Sequence, residues 1–343
     1  GFRYEATLLG LTSDAQRSGR IQLLDEQGLV SETPIAVQAG RLDMVLPAVT
    51  TTTINAPFQG LLLTSFLRNP AAPVLLNEAG EVVWAMPVED DFVVSEARLH
   101  PDGGQIIYGA YQHGSDSDDG DEIVRASLDG NTVVRTPTPG QHHDFTVLPD
   151  GTVAYIAYDA RTISGASVQG DRIMELSEDG ALVEVWSAWD ALPYAEETPS
   201  DASGWTHANA LNYDPASDAY LLSVHNYNTI LKIDRASGEI IWALGGPFSD
   251  FDVPEDATFR RQHGSQLLDD DHIVVFDNGS VAEGVTEVHE YRLDFDAMTA
   301  EPVWHYQPED AVYTMTFGDV ERLPDGDTPV SYTHLRAHET VRN

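Results

Sequence analysis

Five times along this chain the same short phrase returns: an apolar residue, a Pro-Asp-Gly turn or a near variant, then a brief apolar run. The copies are Leu99-His-Pro-Asp-Gly-Gly-Gln-Ile-Ile-Tyr108, Leu148-Pro-Asp-Gly-Thr-Val-Ala-Tyr155, Tyr213-Asp-Pro-Ala-Ser-Asp-Ala-Tyr-Leu-Leu222, Leu267-Leu-Asp-Asp-Asp-His-Ile-Val-Val275 and Leu323-Pro-Asp-Gly-Asp327. A second phrase lies between them, an apolar residue followed by a Gly-containing turn and a hydrophobic run that ends in tryptophan. It is seen at Leu76 to Trp84, Leu176 to Trp186 and Ile233 to Trp242. Each phrase reads as two strands around a tight turn.

The leading residues of the first phrase stand 49, 65, 54 and 56 positions apart. That is close to the period of a four-stranded propeller blade with loops of variable length. Gly60-Leu-Leu-Leu-Thr-Ser65 and the hairpin after it supply an earlier copy. The repeat therefore predicts an all-β fold, a six-bladed β-propeller with its last blade truncated. No sustained 3.6-residue periodicity with caps points to helices.

The repeat does not reach either end. Residues 1–55 read as a small N-terminal β element, with strands at Tyr4–Leu9 and Gly19–Leu24 and a linker over Thr50–Thr53; residues 56–330 carry the propeller. Residues 331–343 hold two arginines and two histidines against one acid, the reverse of what precedes them. They read as a non-native tail, of the kind a translated sequencing adaptor leaves on a metagenomic fragment.

Composition narrows the partners. Lys232 is the one lysine beside seventeen arginines, against 56 acids, for a net charge of −38. Nucleic acid and anionic membrane surfaces draw affinity from clustered Lys and Arg, so neither is expected as a partner. An acidic, lysine-poor surface suits a salty habitat, where ions screen the self-repulsion. Without cysteine there is no disulfide, thiolate nucleophile or Cys-bound zinc. No apolar run of 18 residues predicts a membrane span, and the first residues lack a signal peptide's pattern. The acidic run Asp116 to Glu122 departs from the EF-hand pattern and reads as a solvated loop.

Histidine is where chemistry gathers. Gln141-His-His-Asp-Phe145, Trp205-Thr-His-Ala-Asn209 and Arg261-Gln-His-Gly-Ser265 stand at corresponding places, before or within the strand that opens a repeat. Innermost strands of a propeller line its channel, so His143, His207 and His263 are expected to converge there. His225, on the next strand after His207, reaches the same mouth. His100, His113, His272, His289 and His305 lack this equivalence and read as surface or hydrogen-bonded structural residues. Trp84, Trp186 and Trp242 read as packing between blades, and Asp277-Asn278-Gly279 as a turn. Converging imidazoles could bind zinc or copper, or one could act as a nucleophile with the others as donors. Spacing alone does not choose.

Gln262-His-Gly with Phe276-Asp-Asn-Gly279, Trp205-Thr-His-Ala-Asn209 with the run Leu231 to Gly246, and His142-His-Asp-Phe145 resemble the PAPS-independent arylsulfotransferase family over roughly residues 57–328. The resemblance implies a six-bladed propeller, exported to the periplasm or secreted, that moves a sulfuryl group from an aryl sulfate to a phenol through a sulfohistidine. It implies no metal or other cofactor. Carried onto this chain, His263 is the nucleophile, while His207 and His143 hold the sulfuryl oxygens and assist proton transfer. His142, Trp205, Asn209 and Asn226 are expected as substrate-binding neighbours, and the stretch from Trp189 to Gly204 as a border of the aryl pocket.

One departure stands out. Where the family has an arginine after Leu-Ser-x, this chain has His225, so a permanent bidentate cation becomes a titratable ring. Arg261 could restore the charge if a regular strand put it on the same face as His263. A non-catalytic secreted propeller that binds a sulfated or aromatic ligand, or a protein, is the alternative reading, with a His-ligated metal site as a third. If sulfotransfer occurs, it should tolerate high salt and respond to pH near the imidazole value of about 6.5. Donor, acceptor and oligomeric state are not fixed by the sequence.

Overall fold

A computed structural model of the 343-residue chain describes residues 10–25, 28–42, 45, 60–89, 92–94, 96–111, 120–194, 204–269, 271–280, 282, 284–308, 312–323, 326–332 and 339–342. The expected strand at 4–9, the linker at 50–53, His113 and most of the acidic run at 116–122 lie outside them, as does most of the tail.

Strands β1 (Gln16–Asp25) and β2 (Gly28–Gln38) form a two-stranded sheet. Next comes a three-stranded meander of β3 (Leu62–Phe66), β4 (Ala72–Leu76) and β5 (Val82–Ala85). Four four-stranded meanders follow. The first is β6 (Ala97–Leu99), β7 (Gln105–Ala110), β8 (Glu122–Ser127) and β9 (Val133–Pro137). The second is β10 (Gln141–Val147), β11 (Val153–Ile163), β12 (Ala166–Leu176) and β13 (Leu182–Ser187). The third is β14 (Ala208–Asp214), β15 (Ala219–Val224), β16 (Thr229–Asp234) and β17 (Ile240–Leu244). The fourth is β18 (Ser265–Leu267), β19 (His272–Asp277), β20 (Glu287–Asp294) and β21 (Thr299–Tyr306). The single α-helix among the described residues is one turn, Ala188–Ala191.

This is an all-β chain in a β-propeller arrangement, but with five blades where the repeat predicts six. Where the sixth was expected, β22 (Asp319–Val320) is two residues long and β23 (Asp327–Ser331) five, and β24 (Glu339–Arg342) comes from the expected tail. The Leu323 turn is followed by one apolar run only, too little sequence for a four-stranded meander.

Burial explains why the repeat was visible. The second strand of a blade is covered on both faces, so β4 and β15 are buried at every residue and β19 at all but the first. A strand sandwiched between sheets reads as a continuous apolar run, and each fully buried Val, Leu or Ile contributes about 1.5–3 kcal/mol. The outermost strands β9 and β13 begin with exposed residues. Trp186 packs in a core shared by the β10–β13 and β14–β17 sheets, and Trp242 in one shared by β14–β17 and β18–β21, as expected of packing between blades.

Contacts divide the chain into two compact units. Residues 1–99, 104–110 and 124–134 make one; residues 100–103, 111–123 and 135–343 make the other. Every residue of the site described next belongs to the second.

An imidazole cluster as the candidate active site

The opening strands β10 and β14 do not begin as regular strands. His143 (φ 55°) and His207 (φ 51°) adopt the left-handed conformation, as do Arg261 (φ 53°) and Phe317 (φ 60°) just before β18 and β22. Such a conformation is uncommon for residues with a Cβ and marks a local constraint. Here it breaks the pairing ladder, with register shifts between Gln141 and Phe145 and between Ala208 and Ala210. The backbone counterpart of His143 and His207 is thus Arg261. His263 lies two residues further on, just before the β18 ladder, its N–H bonded to the Phe276 carbonyl at 3.0 Å.

The side chains nevertheless meet. The His143 and His207 Nε2 atoms are 3.3 Å apart, and the ring centroid of His143 is 6.3 Å from that of His263. His225 follows β15 in a single 3-10 turn. Its ring lies 4.4 Å from that of His207, its backbone N–H is bonded to the His207 carbonyl, and its Nδ1 is 2.9 Å from Asn226 Oδ1. Phe317 closes one side, 6.0 Å from His263 and 6.4 Å from His143. Two glycines permit this closeness. A Cβ on Gly264 would overlap the Asp319 carboxylate, and one on Gly318 (φ +96°) would overlap the Phe276 ring.

His263 differs from its neighbours electrostatically. Its Nε2 is out of contact with water and has no hydrogen-bond partner, although the residue as a whole is half-buried. A ring N–H donates to the Gly318 carbonyl; with Nε2 unpartnered, the donor is Nδ1. Burial pushes its pKa from 6.5 down to about 3, helped by the positive charge of His207 and His225 and opposed by the Gly318 carbonyl. No carboxylate is among these influences. The ring is therefore neutral at pH 7, with its tautomer fixed by the backbone and a free lone pair on Nε2.

The support behind this cluster was only partly visible in the sequence. Asp171, fully buried on β12, accepts hydrogen bonds from Thr206 Oγ1 at 2.5 Å and Ala208 N at 2.6 Å, one on each side of His207. Asn278 donates to the carbonyls of Thr314 and Phe317 at 2.8 and 2.9 Å, which fixes the turn carrying Gly318. Asp277 accepts from Arg260 N and Gly279 N. The Asp277-Asn278-Gly279 turn thus holds neighbouring backbone in place. Asp171, Phe317 and Gly318 were missed because no local pattern marks them; their partners are remote in the chain.

Several expected substrate contacts take other positions. Trp205 is fully buried, packed against Trp189, Tyr194 and Tyr227. Asn209, 1% exposed, donates to the Gln262 carbonyl, and Asn226 donates to the Gly204 carbonyl. The first amide ties two blade openings together, and the second braces one within its own blade. His142 is buried and stacked on Tyr158 at 3.9 Å. Arg261 is exposed and left-handed, so the regular strand needed to align it with His263 does not exist. Of the border expected from Trp189 to Gly204, residues 195–203 lie outside the described part. The metal reading fits elsewhere: among the described residues, the grouping close enough for three ligands is Asp269, Asp271 and His272, not the imidazole cluster.

The chain is similar to several solved structures. One is a protein of unknown function from Bacteroides caccae, with 14% identity over 80% of this chain and 82% of that one and a TM-score of 0.49. Another is a glucose dehydrogenase, with 14% identity, 84% and 93% coverage and a TM-score of 0.48. A third is the β-propeller domain of Myceliophteria thermophila Cps50 (Swd1), with 10% identity, 86% and 90% coverage and a TM-score of 0.47. No curated protein sequence matches this one. The family model for arylsulfotransferase (ASST) matches residues 50–341, which include all four histidines of the cluster and most of the chain. By that match the chain belongs to the arylsulfotransferase (ASST) family.

Proposed function

We propose that this protein transfers a sulfuryl group from an aryl sulfate to a phenol by way of a sulfohistidine at His263. The observation that carries the reading is the His263 ring: neutral, held at Nδ1 by Gly318, with an unpartnered Nε2 and its centroid 6.3 Å from that of His143. Nucleophilic catalysis needs such a lone pair, available without prior deprotonation.

In the first half-reaction Nε2 attacks sulfur, the S–O bond to the aryl group breaks, and the phenolate leaves with its electron pair. The enzyme then carries the sulfuryl group on Nε2, with Nδ1–H still on the Gly318 carbonyl, where the positive charge developing on the ring is met by a carbonyl dipole. In the second half-reaction a phenolic oxygen attacks the same sulfur and His263 departs neutral. His207 and His225 supply N–H donors for the sulfuryl oxygens, whose charge is what the site must stabilise. Phe317 offers an apolar ring beside His143 and His263 against which an aryl group stacks. With His225 at the place of the family arginine, this cationic environment is made of imidazoles, and it must attract an anion to a protein of net charge −38.

Turnover of 4-nitrophenyl sulfate with a phenol acceptor tests the reading. Parallel double-reciprocal plots and loss of on the order of 10⁴-fold or more in His263→Ala are expected; a His263→Ala variant with full activity, or wild-type protein that releases no nitrophenolate, contradicts it.

A further inference from the structure

Behind the cluster lies a chain of polar groups that the mechanism above does not use. We propose that Asp171, His142 and His143 form a proton relay serving the phenolic oxygen, with His142 as its internal carrier and Asp171 as the positioning residue; the proposal rests on the sulfotransferase reading. Asp171 Oδ1 and His142 Nε2 are both buried, lie 3.2 Å apart, and have no other polar partner. His142 Nδ1 is 2.7 Å from His143 Nδ1, and His143 Nε2 is the atom that faces His207.

Hydrogen-bond inventory fixes the direction. A carboxylate only accepts, so His142 turns Nε2–H toward Asp171, which leaves a lone pair on its Nδ1. The 2.7 Å contact requires one hydrogen between the two Nδ1 atoms, so His143 donates there and its own Nε2 carries the lone pair. His143 Nε2 is thus prepared as a base on the side of the reacting centre. When a phenol attacks sulfohistidine, its proton passes to His143 Nε2, and the His143 Nδ1 proton shifts to His142 Nδ1. The resulting His142 cation sits beside the Asp171 carboxylate. The unsulfated protein left by this step holds the cationic relay; when the next donor reacts, the same two protons move back and His143 Nε2–H protonates the leaving phenolate. Over one cycle the donor phenol gains the proton that the acceptor loses, and the relay returns to its starting state.

The arrangement separates a carrier from a brace. In His142→Gln the amide can still accept from His143 Nδ1–H and donate to Asp171, so orientation is kept while the ring that carries the proton is gone. The experiment measures kcat of wild type, His142→Gln and Asp171→Asn across aryl sulfates with progressively poorer leaving groups, with sulfo-His263 measured by peptide mass spectrometry in the same preparations. Expected is a loss of about 10²-fold with phenyl sulfate but less than about threefold with 4-nitrophenyl sulfate, which leaves well without a proton. Wild-type proton inventory in mixed H₂O and D₂O, independent of any variant's folding, should be curved because two protons move. A linear inventory, or a loss equal across donors while sulfo-His263 still forms, overturns the relay and leaves the sulfohistidine reading standing. Wild type that forms no sulfo-His263 overturns both.

Discussion

Histidines of two kinds occur in this protein, and the company they keep separates them. His100 lies 2.9 Å from Asp102 and 3.2 Å from Glu178; His272 meets Asp269 and Asp271; His289 lies between Asp277 and Glu287. In a chain with 56 acids this is the ordinary fate of an imidazole. The cluster of His143, His207, His225 and His263 shows ring-to-ring contacts and backbone hydrogen bonds instead, and no carboxylate is among the influences on the His263 ring; Asp171 stands behind His142, and the Asp319 carboxylate packs against Gly264. Carboxylates at the front would repel a sulfate ester and favour a proton on the nucleophile. The placement of acids, as much as the placement of histidines, marks the site.

Trp205 tests whether support and site are separable. It was expected as a substrate contact, yet it is fully buried among aromatic rings. Trp205→Ala is expected to cost about 3–5 kcal/mol of stability in urea unfolding; unchanged stability with a raised KM would return it to the substrate site.

A carboxylate introduced into the cluster attacks the comparison directly. His225→Glu removes one of the two charges that reinforce burial in keeping His263 unprotonated and puts a negative charge beside His207. A fall of roughly 10²-fold in kcat/KM is expected, while a variant as active as wild type would show that an imidazole rather than a carboxylate at this position is incidental.

His263 also leaves a mark on stability against pH. Its folded-state value of about 3 lies below the 6.5 of a free imidazole. The unfolded chain therefore binds the extra proton first, and stability falls as pH drops from about 6.5 toward 3, with no contribution above that window. Urea midpoints at pH 4.5 and 7.5 should differ less in His263→Asn than in wild type; an identical difference would place the ring in water. The smallest effect is expected at His100, whose partners Asp102 and Glu178 are largely exposed. His100→Phe should stay within about 1 kcal/mol of wild-type stability and keep full sulfotransfer activity; a large loss of turnover would erase the distinction between the two kinds of histidine.

The blade repeat was legible because its signals are local: a turn, a two-face-buried strand and a tryptophan all fall within ten or so residues. The nearness of the His143, His207, His225 and His263 rings was expected from the repeat, but the backbone equivalence behind that expectation holds for His143 and His207 alone. What the sequence concealed is of two kinds. Left-handed backbone at His143, His207, Arg261 and Phe317 has no glycine to announce it, and it shifts the true counterpart of His143 from His263 to Arg261. The bonds of Asp171 to Thr206 and of His263 to Gly318 join residues 35 and 55 positions apart, which no short motif records. The sixth blade failed for a third reason: one turn phrase was read as a blade, although only one apolar run follows it.

The central claim is that His263 carries the sulfuryl group. Rapid mixing with excess 4-nitrophenyl sulfate and no acceptor tests it most directly. One nitrophenolate per protein chain should be released in a burst, with the sulfuryl group recovered on the peptide containing His263 and discharged when phenol is added. Release without a burst, or a burst whose label lies on another residue and persists in His263→Ala, would contradict it.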